Sequence, residues 1–390
     1  MNEHAQHHPA DATVLGLFDS SGTAHSANVL HGLARAASAA SIPTIVYAPP
    51  QFRLQAELPG IDWVDTTGPN EIGTPETRTA HRAVLNATMR AFAPGPDRIF
   101  CDMGLDRTMA SRGAVVPANE HTVFVCHRIT VLDRRAARLR GRIRRNRAKN
   151  RTNVRALSDA GARFVVHTPA VADRLADFVN ASQVVRMGWP VQAAHTPNLE
   201  PDWQPGATDR TILLAGSLRA EKGFLPFLDA VDGLPGYDRL IVPGRISSHI
   251  RRQITVTDSR IQFWDRWLTE AEYEDVFSQA ALVALPYIEQ YGERGTMSSV
   301  LLEAMAFGRP LVVSRSIQHL LPPDYGGAVV ADLTTPAAIA DGVTRALGAL
   351  PALEHVAMTE GRRFIAEHHT YERYLRGILD AGCSPMGCPV

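Results

Sequence analysis

Two series of short apolar runs, each run followed by a stretch with helical spacing, constrain this chain more than any other feature. In the first series ATVLGLF (12–18), PTIVYAPP (43–50), IDWVD (61–65), DRIFCDM (97–103), HTVFVCH (121–127) and RFVVH (163–167) have strand length. Between them lie SANVLHGLARAASAAS (26–41), ETRTAHRAVLNATMRAFA (76–93), a helical TMASRGAV (108–115), and TPAVADRLADFV (168–179), which opens on a Thr-Pro helix start. A strand that is apolar throughout is covered on both faces, which points to a parallel sheet between helical layers. Residues 189–209, WPVQAAHTPNLEPDWQPGATD, are rich in Pro, Asp and Asn, have no period, and read as a linker. A second series follows: RTILLAGS (210–217), RLIVPG (239–244), RIQFW (260–264), AALVALPY (280–287), RPLVVS (309–314) and GAVVA (327–331). The fold class is therefore α/β, with two doubly wound domains over 1–195 and 205–365. The terminal helical stretch, about 366–382, is expected to pack back on the first domain.

At 390 residues the chain exceeds what one hydrophobic core usually supports. Lys plus Arg and Asp plus Glu each total 40, so no global field favours a polyanion, and no specific nucleic-acid partner is expected. The opening MNEHAQHHPADA has no apolar core, and the longest apolar run, AALVALPYI, is too short to cross a bilayer. A cytoplasmic location is the expectation. Cys101 and Cys126 lie in strand runs and read as buried thiols, while Cys383 and Cys388 sit in a tail whose spacing does not suit zinc. One local feature departs from charge balance: Arg134–Arg155 holds many arginines and no acid. Its plain reading is a solvated basic loop; the alternatives are a helix lying on an anionic membrane surface, or a clamp for an anionic acceptor or RNA. The lack of aromatics argues against base stacking.

Open parallel sheets bind ligands at the carboxyl ends of their strands, so polar residues just after strands are the site candidates. In LLAGSLRAEKGF a strand ends at Gly216–Ser217, and Arg219, Lys222 and Gly223 follow. Two cations converging there would suit a diphosphate. PYIEQYGERGTMSS reads as a polar loop with two glycines, and in GTMSSVLLEAMAFGRP, Ser298 and Ser299 open a helix that Gly308 and Pro310 end, with Glu303 one turn in. Free amides at a helix N-terminus suit a phosphate, and a carboxylate suits a pair of ribose hydroxyls. The plain alternative is a capping serine and a surface glutamate. Gly22 lies in the loop after the first strand, which is not the dinucleotide fingerprint. His127 ends one strand run and His167 another, and position alone does not choose between them.

Taken in order, PDRIFCDM, TVFVCH, RFVVHTPAVADRL, VVRMGWPV, LLAGSLRAEKGF, RIQFWDRWLTEAEYEDVFSQAALVALPY and LLEAMAFGRPLVVS resemble a GT-B glycosyltransferase of the retaining family-four type (glycosyl transferases group 1). The resemblance covers most of the chain and is most specific in its second half. It implies two Rossmann-like domains facing a cleft, a nucleotide-diphospho-sugar as co-substrate with no other cofactor, no metal, and retention of anomeric configuration. It assigns the donor diphosphate to Arg219 and Lys222, with Gly216 and Ser217 beside them. It assigns the ribose to Glu303, the distal phosphate to Ser298 and Ser299, and the donor sugar to His127. Gly22 would lie where donor phosphate and acceptor meet. The loops at Gly244–Arg245 and Asp265–Arg266 would approach the base. The acceptor is expected to be a small molecule or an anionic glycan or lipid intermediate.

One position departs from the family pattern. The glutamate expected about eight residues before Glu303 is Gly295. Either Glu289 or Glu293 takes that place, or the backbone around Gly295, Thr296 and Met297 holds the sugar, or the sugar is unusual. A pseudo-glycosyltransferase, a nucleotide-sugar epimerase and a non-catalytic nucleotide-sugar-binding protein remain as alternatives.

Overall fold

The computed structural model describes residues 13–19, 24–54, 56–66, 75–105, 116–127, 141–191, 209–216, 218–266 and 268–383. The chain divides into two compact units. One comprises Met1–Gln192 with Tyr371–Val390, the other Ala193–Thr370.

In the first unit β1 (Val14–Phe18), α1 (Ala24–Ala39), β2 (Thr44–Ala48), β3 (Ile61–Asp65), α2 (Pro75–Phe92), β4 (Arg98–Asp102) and β5 (Thr122–Cys126) come first. They are followed by α3 (Gly141–Asp159), β6 (Arg163–Val166), α4 (Pro169–Ala176) and β7 (Val184–Arg186). All described strand pairs of its sheet are parallel, in the order β3-β2-β1-β4-β5-β6-β7. Strands β4 and β5 are buried along nearly their whole length, as runs apolar on both faces require. Phe18, Phe92, Phe100, Phe124 and Phe164 are fully buried in this core. Each such side chain contributes about 1.5–3 kcal/mol relative to leaving it exposed. The Thr-Pro signal is a helix start: Thr168 accepts from the Val171 amide at 3.3 Å, and Pro169 opens α4.

In the second unit the order is β8 (Thr211–Leu213), α5 (Phe224–Val231), β9 (Arg239–Pro243), α6 (Ser248–Arg251), β10 (Ile261–Trp264), α7 (Glu270–Gln279) and β11 (Leu282–Leu285). Then come α8 (Glu289–Glu293), α9 (Ser299–Ala306), β12 (Leu311–Ser314), β13 (Ala328–Ala331), α10 (Pro336–Gly348), α11 (Leu350–Val356) and α12 (Arg362–His368). This sheet is also parallel, in the order β10-β9-β8-β11-β12-β13. Phe227, Leu240, Leu282, Val312 and Val343 are fully buried between sheet and helices. Both sheets wind outward one way and then the other, so each is a Rossmann-like layer with one switch in strand order.

Three local expectations are corrected. Trp189 and Val191 are buried at 6% and 3% exposure, so the linker does not begin at 189: the apolar Trp-Pro-Val segment packs into the first unit despite its proline. The terminal helical stretch is two helices. The chain leaves helical geometry at His369 (φ −127°, ψ 29°), and the final helix is Tyr371–Gly382, grouped with the first unit, where it packs on α1. The polar loop before Ser298 contains the short helix α8. The helix expected over 108–115 lies outside the described residues.

Candidate active site

In the second unit the strand order reverses between β8 and β11, and their carboxyl ends flank the crevice where open α/β sheets bind ligands. After β8 the chain passes Gly216 at φ +103°, a backbone conformation that L side chains rarely adopt. A 3₁₀ turn over Ala220–Lys222 follows, and Gly223 (φ +66°) leads into α5. A Cβ on Gly223 would lie 1.9 Å from the Pro286 carbonyl oxygen. Only glycine lets this turn press against the exit of β11.

That turn sets Lys222. Its Nζ lies 4.9 Å from the ring centroid of Tyr287, just past β11, and 6.0 Å from that of Tyr291 on α8. A Cβ on Gly216 would stand 2.9 Å from the same Nζ, so the glycine leaves room for the ammonium. Burial pushes the Lys222 pKa below the ordinary lysine value; nearby Tyr291 opposes the shift, Arg219 adds to it, and Glu303 and Glu221 oppose it. Burial also pushes the Tyr291 hydroxyl up to about 12.

Glu303 approaches from α9. Ser298 caps this helix by accepting from the Leu301 amide at 3.3 Å, and its hydroxyl lies 3.1 Å from that of Tyr287. The Ser298 side chain is thus committed to the cap and to Tyr287, and the residue is only 2% exposed. What α9 leaves for a phosphate is backbone at its first turn, beside half-buried Ser299. Val300, Leu301, Leu302, Ala304, Met305 and Ala306 are all buried, so α9 has no broad polar face and Glu303 is half-buried rather than on the surface. The Tyr273 hydroxyl donates to Glu303 Oε2 at 2.5 Å. Burial pushes the Glu303 carboxyl above the ordinary glutamate value, against the Tyr273 hydrogen bond and the Lys222 charge.

Arg219 is more exposed, at 45% for its side chain, and pairs with Glu221 Oε1 at 3.2 Å. Arg294 reaches the same oxygen at 3.1 Å. Burial raises the Glu221 pKa, but its backbone hydrogen bond and the two guanidinium groups outweigh that, leaving the carboxyl below its ordinary value. Glu221 therefore clamps two arginines at the rim of the Lys222 pocket.

The structure brings Gly216, Arg219, Lys222 and Glu303 into one neighbourhood and adds Glu221, Tyr273, Tyr287, Tyr291 and Arg294. Tyr287 closes the run AALVALPY, so the rule that favours polar residues just after strands points to it as well. Gly244 (φ +113°) turns the chain after β9 opposite Gly216, whose carbonyl oxygen would lie 3.7 Å from a Cβ there. Arg245 is exposed. Asp265 accepts from the Ile246 amide at 2.5 Å and pairs with Arg251, while Arg266 pairs with Glu272 at 2.7 Å. These two residues tie loops together. Glu289 and Glu293 are both exposed on α8. Gly295 is buried at φ +65°, Thr296 is half-buried, and the Met297 carbonyl accepts from the Tyr291 hydroxyl at 3.3 Å. Ser217 lies outside the described residues.

In the first unit His127 follows β5, partly exposed, with Nε2 2.9 Å from the Met103 carbonyl oxygen. Gly22 lies outside the described residues, as does the 134–140 part of the basic run. The remainder of that run forms most of α3, anchored by buried Val154 and Leu157, with the Arg151 guanidinium 5.4 Å from the Phe178 ring centroid. Cys101 and Cys126 are buried and Cys383 is half-buried; Cys388 lies outside the described residues. Among the described residues no group of three His, Cys, Asp or Glu side chains is placed to hold a metal ion. No helix among them is long and apolar enough to cross a membrane.

Residues 209–349 match the family model described as Glycosyl transferases group 1. Among curated proteins none matches the chain by sequence. Several solved structures share its fold. Sucrose-phosphate synthase from Thermosynechococcus elongatus aligns with a TM-score of 0.65 at 15% identity, covering 95% of this chain and 97% of that one. A UDP-forming α,α-trehalose-phosphate synthase from Burkholderia xenovorans gives 0.63 at 13% identity, covering 97% and 100%. Anabaena HepE, solved in complex with UDP, gives 0.63 at 13% identity, covering 94% and 98%. At these identities the likeness is one of fold: two Rossmann-like domains in the GT-B arrangement of elements.

Proposed function

We infer that this chain, a glycosyltransferase whose second domain matches the group 1 family, takes a nucleotide-diphospho-sugar as donor and transfers its sugar with retention, without a metal. The observation that carries this reading is Lys222, its ammonium lodged between Gly216 and the rings of Tyr287 and Tyr291 at the strand switch. A desolvated cation with Glu303 nearby, itself held by Tyr273, is half of an electrostatic site that an anionic ligand completes.

Lys222 and Arg219 are assigned the two phosphates, Glu303 the ribose hydroxyls, and the first-turn amides of α9 the distal phosphate. In the first domain His127 is assigned a substrate hydroxyl. The acceptor hydroxyl attacks the anomeric carbon on the face the diphosphate leaves. The bond from that carbon to the phosphate oxygen breaks, and its electron pair leaves with the nucleoside diphosphate. The acceptor proton passes to the departing phosphate. The cations stabilise the charge that grows on the leaving group, which lowers the barrier where the charge develops. A structural neighbour binds UDP, so uridine donors are the first to test. The acceptor is a small molecule or an anionic glycan or lipid intermediate, and the reaction is placed in the cytoplasm.

The test is a thermal-shift and calorimetric screen of nucleoside diphosphates and their sugars, beginning with UDP and UDP-glucose. A donor that binds only the folded protein raises its melting temperature. Loss of that shift in Arg219→Ala and Lys222→Ala supports the assignment. Full binding in both variants sinks it. Nucleoside diphosphate release on adding acceptor separates an enzyme from a binding protein.

A further inference from the structure

The guanidinium assigned to a phosphate stands, in this structure, on a carboxylate. Arg219 Nη1 lies 3.2 Å from Glu221 Oε1, and Arg294 Nη1 lies 3.1 Å from the same oxygen. One oxygen thus holds two cations that come from separate stretches of the chain. Arg219 precedes the 3₁₀ turn that contains Glu221, and Arg294 ends α8.

The two arginines are not equivalent. Helix α8 is fixed to the turn: the Ile288 amide, just ahead of it, donates to the Glu221 carbonyl at 3.2 Å. On its other side a Cβ on Gly292 would collide with the Ser316 carbonyl oxygen, so the helix lies against the segment after β12. The Arg294 amide closes α8 by donating to the Tyr291 carbonyl at 3.1 Å. Arg294 and Glu221 therefore leave a single braced frame, and their side chains are 30% and 16% exposed. Arg219 sits on extended backbone (φ −124°, ψ 152°), and its side chain is 45% exposed. It is the loose arm of the three. The Glu221 charge also acts on Lys222, the next residue and the other proposed phosphate ligand. A carboxylate so placed repels an arriving diphosphate unless a cation stays on it.

We propose that Arg294 is a positioning residue: it keeps Glu221 paired while Arg219 turns from that carboxylate to the donor diphosphate. One ion pair is broken, one is made with the ligand, and the Arg294–Glu221 pair persists, so no unpaired carboxylate is left beside the bound anion. This rests on the reading of Arg219 as a phosphate ligand.

The test is calorimetric titration of the full-length protein with UDP and with inorganic pyrophosphate, whose binding does not depend on a base. A melt first shows that each variant is folded. Arg294→Gln is expected to weaken both probes about tenfold, because Glu221 then depends on Arg219 and holds it back. Arg294→Lys keeps a cation on Glu221 and should stay within about threefold of wild type. Glu221→Gln removes the competing carboxylate and should tighten both probes about threefold. In that background Arg294→Gln should cost less than about twofold. A merely structural role gives the opposite sign for Glu221→Gln, since a loosened turn binds less well. Unchanged binding in folded Arg294→Gln, or weakened binding in folded Glu221→Gln, overturns the proposal. Full binding in Arg219→Ala, or a wild-type protein that binds neither probe, fells the functional reading and the exchange with it. Loss in Arg219→Ala beside unchanged binding in Arg294→Gln fails the exchange alone.

Discussion

The second unit carries two charge clusters at opposite edges of one sheet, and they are built in opposite ways. At the amino edge, ahead of β9 and β10, Asp258 accepts from Arg260 Nε at 3.0 Å and from its terminal nitrogen at 2.6 Å. It also accepts from the Tyr237 hydroxyl at 3.0 Å and the Gly233 amide at 3.2 Å. Arg260 also donates to the carbonyls of Tyr237 and Leu234, both at 2.9 Å, and its guanidinium lies 4.2 Å from the Tyr237 ring centroid. The hydrogen bond from Arg260 leads the effects that hold the Asp258 carboxyl well below the ordinary aspartate value. At the carboxyl edge burial dominates instead, and it moves Lys222 down and Glu303 up. The first cluster stabilises its charges from within the protein. The second leaves its charges partly unsupported, which suits groups whose partner arrives in solution.

The contrast predicts opposite consequences for the same kind of mutation. Lys222→Met should weaken binding of the nucleotide sugar about 100-fold, since charge-assisted hydrogen bonds to phosphate are worth about 1.5–3 kcal/mol each. It should leave the melting temperature of the unliganded protein unchanged or raised, because a desolvated cation has been removed. Calorimetric titration with the best donor checks the first expectation, and a melt of the apo protein the second. Asp258→Ala should do the reverse. Removing one partner of a hydrogen-bonded pair costs about 2–3 kcal/mol by urea denaturation, with donor affinity kept within about twofold. If Asp258→Ala weakened donor binding as much as Lys222→Met, the division of the sheet into a structural and a ligand edge would fail.

The fold was legible because its strands are apolar on both faces while its helices keep their own period; β11 in AALVALPY and α2 in TAHRAVLNATMRAF could hardly be exchanged. Gly216, Arg219, Lys222 and Glu303 were legible for a different reason: each lies within a few residues of a strand or helix end, where backbone geometry alone aims a group at the crevice. The rest depended on distant parts of the chain meeting. Tyr273 reaches Glu303 across 30 residues, and Arg294 reaches Glu221 across 73. No local pattern encodes either pairing. The capping role of Ser298 is legible in the sequence, but its second partner, Tyr287, appears only when the carboxyl end of β11 is set beside α9. Proline misled at Trp189, where burial of a large ring outweighed a loop-like composition.

Glu303→Gln sharpens the comparison with a smaller effect. The amide can still accept from Tyr273 but offers one acceptor fewer, with no charge, to a pair of hydroxyls. About tenfold weaker donor binding is expected, the equivalent of one hydrogen bond to a charged group. Stability should move the other way. The Glu303 pKa is raised in the folded protein, so the folded state holds this proton more tightly than the unfolded chain. Its stabilising contribution is fully present below the unfolded pKa and is lost as pH rises through the folded one. As pH rises through the folded pKa the wild-type protein takes on the cost of a buried carboxylate and the glutamine variant does not. The variant should therefore gain more in melting temperature at pH 8 than at pH 5; an equal gain at both would remove burial of the charge as the cause.

The smallest effect, and the most specific, is in the pH profile of donor affinity. UDP-glucose is the better probe than UDP here, because its diphosphate is esterified at both ends and has no ionisation near neutrality to confuse with the protein. Affinity should fall on the acid side as Glu303 takes up its proton, above the ordinary glutamate range because burial raises that pKa. It should fall on the alkaline side as Lys222 loses its proton, below the ordinary lysine range because burial lowers that one. The window is thus narrowed from both ends by one physical cause. Glu303→Gln should abolish the acid limb and leave the alkaline limb in place. Asp258→Asn, at the other edge, should move neither. A profile in which the acid limb survived Glu303→Gln would assign that proton to a different group and detach Glu303 from the donor.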